Sequence, residues 1–125
     1  AMKLSALRLY VHRLERAADF YGACLGLPLR VDGRRQGRCA FDLGGGVDLI
    51  VEAVAPDADE DEQAMVGRPT GVSLAVDDIQ AAQVALTARG VPFASTPQRQ
   101  ADGGWTTSFE DPDGNQLQLV QQPAA

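Results

Sequence analysis

The sequence is poor in the residues that build metal centres and disulfide frameworks. Its 125 residues include one histidine, His12, and two cysteines, Cys24 and Cys39. A structural zinc site takes four ligands, mostly Cys and His, and small disulfide-stapled domains need several cysteine pairs. We therefore interpret the two thiols as small buried side chains, and His12 as a capping or surface residue rather than a catalytic base.

The sequence also lacks long apolar runs and an excess of basic residues. No segment approaches the roughly 20 apolar residues that span a bilayer, and none has the layout of a signal peptide, so we expect a cytoplasmic protein without a membrane partner. The formal net charge of -6 argues against nucleic acid, which requires a basic surface, and favours a cationic small ligand. The acidic segment 56–63, PDADEDEQ, is expected to be a solvated loop.

What the sequence contains is an internal repeat. Residues 7–29 and 72–93 share one pattern: an alternating strand, a polar cap, an amphipathic helix, a glycine, and then a hydrophobic-Pro-hydrophobic step. The strand residues correspond at a spacing of 65 positions, whereas Gly26 and Gly90, which follow the helices, are 64 apart. One helix therefore contains an extra residue.

The pattern predicts the elements of both halves. A helix is expected over residues 14–25, and a second one from a cap at Asp77 or Asp78 to about Arg89, with Val84 among the residues available for its buried side. Each helix is followed by strand material that includes a hairpin, over residues 39–53 and 105–120. We predict an α+β fold of two tandem βαβββ modules, residues 4–55 and 71–121, joined by an acidic linker, 56–70, in one domain.

The stretch DPDGN, residues 111–115, joins the two strands of the second hairpin. Pro112 presets φ, Gly114 supplies a positive φ, and Asp111 can accept hydrogen bonds from amides two residues onward. A calcium loop of the EF-hand type would need glycine and glutamate where Gln116 and Gln122 stand. The stretch is therefore predicted to be a turn and not a metal loop.

The repeat, together with DFYGACLGL in the first half and FEDPDGNQLQLV at the end, resembles the vicinal oxygen chelate superfamily of glyoxalases, extradiol dioxygenases and bleomycin-resistance proteins. The resemblance covers residues 4–121. It implies two cupped half-sheets around a cavity, and a homodimer in many members, some with the cavity across the subunit interface. We accordingly expect a homodimer.

The resemblance also implies where metal-dependent members carry ligands, typically His and Glu. On the first strand of each half these positions are Ala6 and Gly71, and on the last strand of the second half the position is Gln118. The fourth position is Ile50 or, with a longer hairpin, Glu52. Because at least three positions lack a ligand, and Zn²⁺ or Ni²⁺ needs three or four, we expect neither a metal nor another cofactor.

Strand alternation identifies the side chains that share a face with these positions. Most are polar, which suits recognition of a ligand; alternatively, some pair with one another, for example Arg8 with Glu52 or Asp48. Trp105 is added because it can stack on a planar ligand, although a core or dimer-contact position is equally compatible with the sequence. The candidate ligand-binding residues are Arg8, Tyr10, Asp48, Ile50, Glu52, Ser73, Trp105 and Gln118.

The leading functional hypothesis is a metal-free binding protein, similar to the antibiotic-sequestering branch, that captures a small planar or cationic ligand unchanged. Trp105 and Tyr10 would stack on the ligand, and Asp48 and Glu52 would meet positive charge. The alternative is a divergent glyoxalase-type lyase, isomerase or dioxygenase, with Glu52 or Tyr10 in acid-base chemistry. A third possibility is an interaction module without a small ligand.

Overall fold

The computed structural model describes residues 1–124, which form two four-stranded sheets. Sheet A has the strand order β1-β4-β3-β2, and sheet B has the equivalent order β5-β8-β7-β6. In each sheet the first strand of the module pairs in parallel with the last, and the remaining pairs are antiparallel. The predicted α+β fold of two tandem βαβββ modules is confirmed. The strands are β1 (Ala6–Val11), β2 (Leu29–Gly33), β3 (Arg38–Asp42), β4 (Asp48–Ala53), β5 (Pro69–Ala75), β6 (Gln98–Arg99), β7 (Trp105–Glu110) and β8 (Gln116–Gln121).

The extra residue of the first helix is accommodated by a π-helical turn. Helix α1 (Leu14–Asp19) continues directly as π-helix over Phe20–Cys24, where the amide of Leu25 donates to the carbonyl of Phe20 at 2.9 Å. A π-turn spans five residues where an α-turn spans four, so it absorbs one residue without interrupting the helix. This explains why the repeat spacing changes from 65 to 64 across the helices.

The remaining helices are α2 (Glu60–Gln63) and α3 (Ile79–Ala88). Asp78 caps α3 by accepting a hydrogen bond from the amide of Ala81 at 3.0 Å, and Gly90 follows the helix with a φ of 95°. Val84 was assigned to the buried side, but it is 72% exposed. That assignment is wrong, because the buried stripe runs through Ile79, Ala82 and Leu86 instead.

The acidic segment contains the one-turn helix α2 rather than a continuous loop. Asp59 caps it by accepting from the amide of Glu62 at 2.9 Å, and three acidic residues occupy the first turn, where the helix dipole favours negative charge. All four residues of α2 except Gln63 are exposed. No helix of residues 1–124 is long and apolar enough to cross a membrane.

Both modules contribute to one buried core. Helix-facing side chains of sheet A, including Leu9 and Val51, belong to the same cluster as Leu119 of sheet B. The π-helical turn connects the two sheets, because the ring of Phe20 lies 6.3 Å from the ring of Phe109 on β7. The opposite face of each sheet carries the exposed and half-buried polar residues.

The DPDGN turn joins the second module to the first. The amides of Asp113 and Asn115 donate to Asp111 Oδ1, both at 2.9 Å, and Gly114 has a φ of 83°, so the predicted turn is confirmed. Asp111 Oδ2 accepts a hydrogen bond from the buried hydroxyl of Tyr21 at 2.7 Å. The side-chain amide of Asn115 donates through Nδ2 to the backbone carbonyl of Tyr10 at 2.7 Å. The acidic pair of this turn is therefore structural.

Candidate ligand-binding site

Five of the eight candidate residues lie together on the polar face of sheet A, which we define as the face opposite the core. Arg8 pairs with Ile50, and Tyr10 pairs with Glu52, across the parallel strands β1 and β4. Asp48 lies on the same face at the start of β4. Directly opposite residues share a face, so strand pairing brings these five side chains next to one another.

The carboxylates of this face are already paired with arginines. Arg8 forms an ion pair with Glu52, which confirms the alternative that some polar groups satisfy one another. Asp48 accepts two hydrogen bonds from Arg30 Nε, at 2.8 and 2.9 Å, and a further one from Arg30 Nη2. These hydrogen bonds, and secondarily the positive charge of Arg30, hold the pKa of Asp48 below its ordinary value.

Arg30 is a site residue that the sequence interpretation missed. It lies on the short edge strand β2, which the sequence pattern did not delimit. With Arg38, which pairs with Glu52 in register, the polar face carries equal numbers of positive and negative side chains. These are Arg8, Arg30 and Arg38, and Asp42, Asp48 and Glu52.

An apolar row crosses the polar face of sheet A between the two ion pairs. Val31 on β2 pairs with Ala40 on β3, and Ala40 pairs with Ile50 on β4. Val31 is 46% exposed, which is unusual for a β-branched apolar residue in a strand of a small domain. The face therefore offers an apolar surface bounded by charged hydrogen-bonding groups.

Ser73 and Gln118 form a second group on the polar face of sheet B. Ser73 Oγ donates to Gln118 Oε1 at 3.0 Å, and Ser108 on β7 is in register with Gln118. These three line a depression of about 190 Å³ together with Gly71. Among residues 1–124, no hydrogen bond or ion pair joins this group to the five residues on sheet A.

Trp105 lies apart from both groups. On β7 it has the same parity as Thr107 and Phe109, whose side chains are buried, and it packs against the core. It lines a depression next to Asp78 at the start of α3. Three roles were left open for Trp105: ligand stacking, a core position and a dimer contact. Its packing supports the core position, and the sequence signal for this was its parity with the apolar Phe109.

Comparison with known proteins identifies the family. The sequence model of the Glyoxalase/Bleomycin resistance protein/Dioxygenase superfamily matches residues 3–119. The chain belongs to this superfamily. A search of curated proteins finds no significant match.

Solved structures of the superfamily share the fold over nearly the whole chain. A member from Sphaerobacter thermophilus DSM 20745 is 32% identical, with a TM-score of 0.78 and 98% of each chain covered. TnmS3, an antibiotic binding protein from Streptomyces sp. CB03234, is 26% identical, with a TM-score of 0.77 and coverage of 99% of this chain and 98% of TnmS3. A lactoylglutathione lyase from Agrobacterium tumefaciens is 18% identical, with a TM-score of 0.75 and coverage of 97% and 94%, and shows the fold alone.

The strand register identifies the position that the sequence left open between Ile50 and Glu52. Leu49 pairs with Phe41 in sheet A as Leu117 pairs with Phe109 in sheet B. The residue that follows Leu117 is Gln118, so its counterpart in the first module is Ile50.

The donor set of this superfamily member does not fit a metal. The four positions are Ala6, Ile50, Gly71 and Gln118, and none of these side chains is a carboxylate, imidazole or thiolate ligand. The two carboxylates nearest to Ile50 on the same strand, Asp48 and Glu52, are bound to Arg30 and Arg8 respectively. No group of three or more His, Cys, Asp or Glu side chains within residues 1–124 is arranged to hold a metal ion.

Proposed function

We propose that this superfamily member is a metal-free, cytoplasmic binding protein that captures a small planar ligand on the polar face of sheet A. The observation that carries the proposal is the apolar row of Val31, Ala40 and Ile50 between two ion pairs. A planar ligand would lie on this row, with Tyr10 stacking at its border, and its polar edges would reach Arg8 and the carboxylates.

The pairing of the carboxylates bears on the charge of the ligand. We expected Asp48 and Glu52 to meet positive charge, but each is already bound to an arginine. Because each carboxylate already has an arginine beside it, and exposed ion pairs contribute only about 0–1 kcal/mol, a cationic ligand would gain little from these carboxylates. The proposal therefore favours a planar ligand without net charge over a cationic one.

The second half of the site is proposed to come from another copy of the chain. The polar face of sheet A is open, and Arg8 and Glu52 keep 42% and 35% of their side-chain surface exposed. Ser73 and Gln118 present hydrogen-bonding groups on an equally open face of sheet B. In a homodimer, sheet B of one copy would cover sheet A of the other, and the ligand would be enclosed between them.

The similarity to TnmS3 supports an antibiotic as the ligand class. TnmS3 is an antibiotic binding protein and is 26% identical over 99% of this chain. The enzyme alternative has less support, because Glu52, one of its two candidate acid-base groups beside Tyr10, is bound to Arg8 and the metal positions lack ligands.

Calorimetric titration with a panel of planar aromatic antibiotics, neutral and cationic, tests the proposal. Ile50→Asp should weaken binding at least tenfold, because it places an unpaired charge under the ligand. Val84→Asp is the matched control, since Val84 is exposed on α3 away from the face, and should leave affinity unchanged. Ligand recovered unchanged, as judged by mass spectrometry, would separate capture from catalysis. The absence of binding to any compound of the panel, or equal affinities of the Ile50→Asp and Val84→Asp variants, would refute the proposal.

A further inference from the structure

A separate apolar cleft of about 630 Å³ lies between the two modules. Leu25, Leu27 and Leu43 line it from the first module, and Leu74 and Leu86 line it from the second. This volume falls within the range of small-molecule sites.

Among residues 1–124, one charged side chain, that of Arg89, lines this cleft. It follows the last residue of α3, and its Nη1 donates to the carbonyl of Cys24 at 3.5 Å, the limit of a hydrogen bond. No carboxylate of residues 1–124 forms an ion pair with it.

The guanidinium group has five donors in a planar fork that matches a carboxylate in a bidentate arrangement. In this cleft the guanidinium group lies beside a lining formed mostly by leucine, valine and alanine side chains. The chemistry that satisfies both features is an acid head group on an aliphatic chain, because the chain fills the apolar volume while the carboxylate pairs with Arg89.

We propose that the cleft between the modules binds an aliphatic monocarboxylate, with Arg89 holding the carboxylate and the leucines of both modules holding the chain. The lining of this cleft includes Ser73, which also lines the depression on sheet B, but no residue of the polar face of sheet A, and the proposal does not depend on the function proposed for that face. Its ligand would contact both modules at once.

Calorimetry with octanoate, decanoate and dodecanoate, below their aggregation concentrations, tests the apolar part of the proposal. Affinity should rise about fourfold for each added methylene buried, at a stoichiometry of one per chain. 1-Decanol, which has the same number of carbons as decanoate and a hydroxymethyl group in place of the carboxylate, should bind more weakly than decanoate.

Arg89→Gln tests the head group. This variant should weaken decanoate binding by about ten- to a hundredfold and leave 1-decanol binding unchanged, because hydrogen bonds to a charged group are lost for the acid alone. Arg35→Gln removes one positive charge from an exposed arginine outside the cleft, and is the matched control. Ala85→Phe fills the cleft from an exposed position, so it should abolish binding of acid and alcohol without unfolding the chain.

Equal affinity of the wild-type chain for decanoate and 1-decanol would overturn the proposal. So would an Arg89→Gln variant that binds decanoate as the wild type does, an Ala85→Phe variant that still binds, or the absence of binding throughout the series.

Discussion

The strongest test of how the two modules are held together is Tyr21→Phe, which removes one oxygen from the core. The Tyr21 hydroxyl donates to Asp111 Oδ2 at 2.7 Å, and both residues are buried, with relative exposures of 0% and 4%. Burial, and secondarily the charge of Asp111, raise the pKa of Tyr21 far above its ordinary value. The phenol therefore remains a donor throughout the pH range in which proteins are studied.

The expected loss follows from what the substitution leaves behind. Asp111 Oδ2 keeps one donor, the side-chain amide of Asn115 at 2.9 Å, and loses the shorter hydrogen bond from the Tyr21 hydroxyl. A hydrogen bond to a charged group contributes about 1.5–3 kcal/mol, and a buried acceptor deprived of its donor is not resolvated by water. We expect Tyr21→Phe to lower the free energy of unfolding by about 2 kcal/mol, a large fraction of the stability of a small domain.

Urea denaturation followed by circular dichroism measures this loss, and Tyr10→Phe is the matched control. No hydrogen bond of the Tyr10 hydroxyl is present among residues 1–124, so its removal should change the unfolding free energy by less than about 0.5 kcal/mol. Because the pKa of Tyr21 is higher in the folded state, its hydroxyl ionises at a lower pH in the unfolded chain than in the folded one. The difference between wild type and Tyr21→Phe should therefore be constant below pH 10 and shrink above it. Equal losses for the two tyrosines would refute the argument.

Three further predictions concern single positions. Gly71→Ala should cost about 1–2 kcal/mol in urea denaturation, because the φ of 75° disfavours a Cβ although space is open around it; a neutral result would mean that β5 relaxes there. Asp78→Ala should cost about 1 kcal/mol through loss of the α3 cap to Ala81, and unchanged stability would contradict the capping role. Arg30→Gln should raise the pKa of Asp48 towards 3.8 in an NMR titration, and the stabilisation by this pair should be present above that pH and lost as the pH falls through the lower folded-state pKa. An unchanged Asp48 titration would show that Arg30 does not hold it.

The fold was predictable because the repeat imposes the same pattern twice. Alternation identified β1, β4, β5 and β8. The change of repeat spacing indicated one residue gained or lost inside the helices, but not that the first helix takes it up as the π-helical turn at Phe20–Cys24. The local signals at the DPDGN turn also predicted its geometry. What they did not predict is its partner, because the bond from Asp111 to Tyr21 spans 90 positions and depends on how the modules pack.

The candidate site was predictable one strand at a time, but not as an assembled surface. Parity placed Arg8, Tyr10 and Glu52 on one face, and strand pairing in the structure joins them. Parity carries no information on how two sheets face each other, so the separation of Ser73 and Gln118 from that group required the three-dimensional structure. The pairing of Arg30 with Asp48 was missed because edge strand β2 has a bulge between Leu29 and Val31, which interrupts simple alternation.

The backbone conformation at two of the four metal positions, Ala6 and Gly71, determines how easily a ligand side chain could be introduced there. At Ala6 the pairing of β1 with β4 is regular, so a ligand side chain there would meet an ordinary strand conformation. At Gly71 the register of β5 against β8 shifts, and the φ of 75° is one that side chains with a Cβ rarely adopt. A histidine at this position would either carry strain or pull β5 back into regular pairing, which would move Ser73 relative to Gln118. At one of the four metal positions, Gly71, the shape of β5 itself therefore disfavours a ligand side chain.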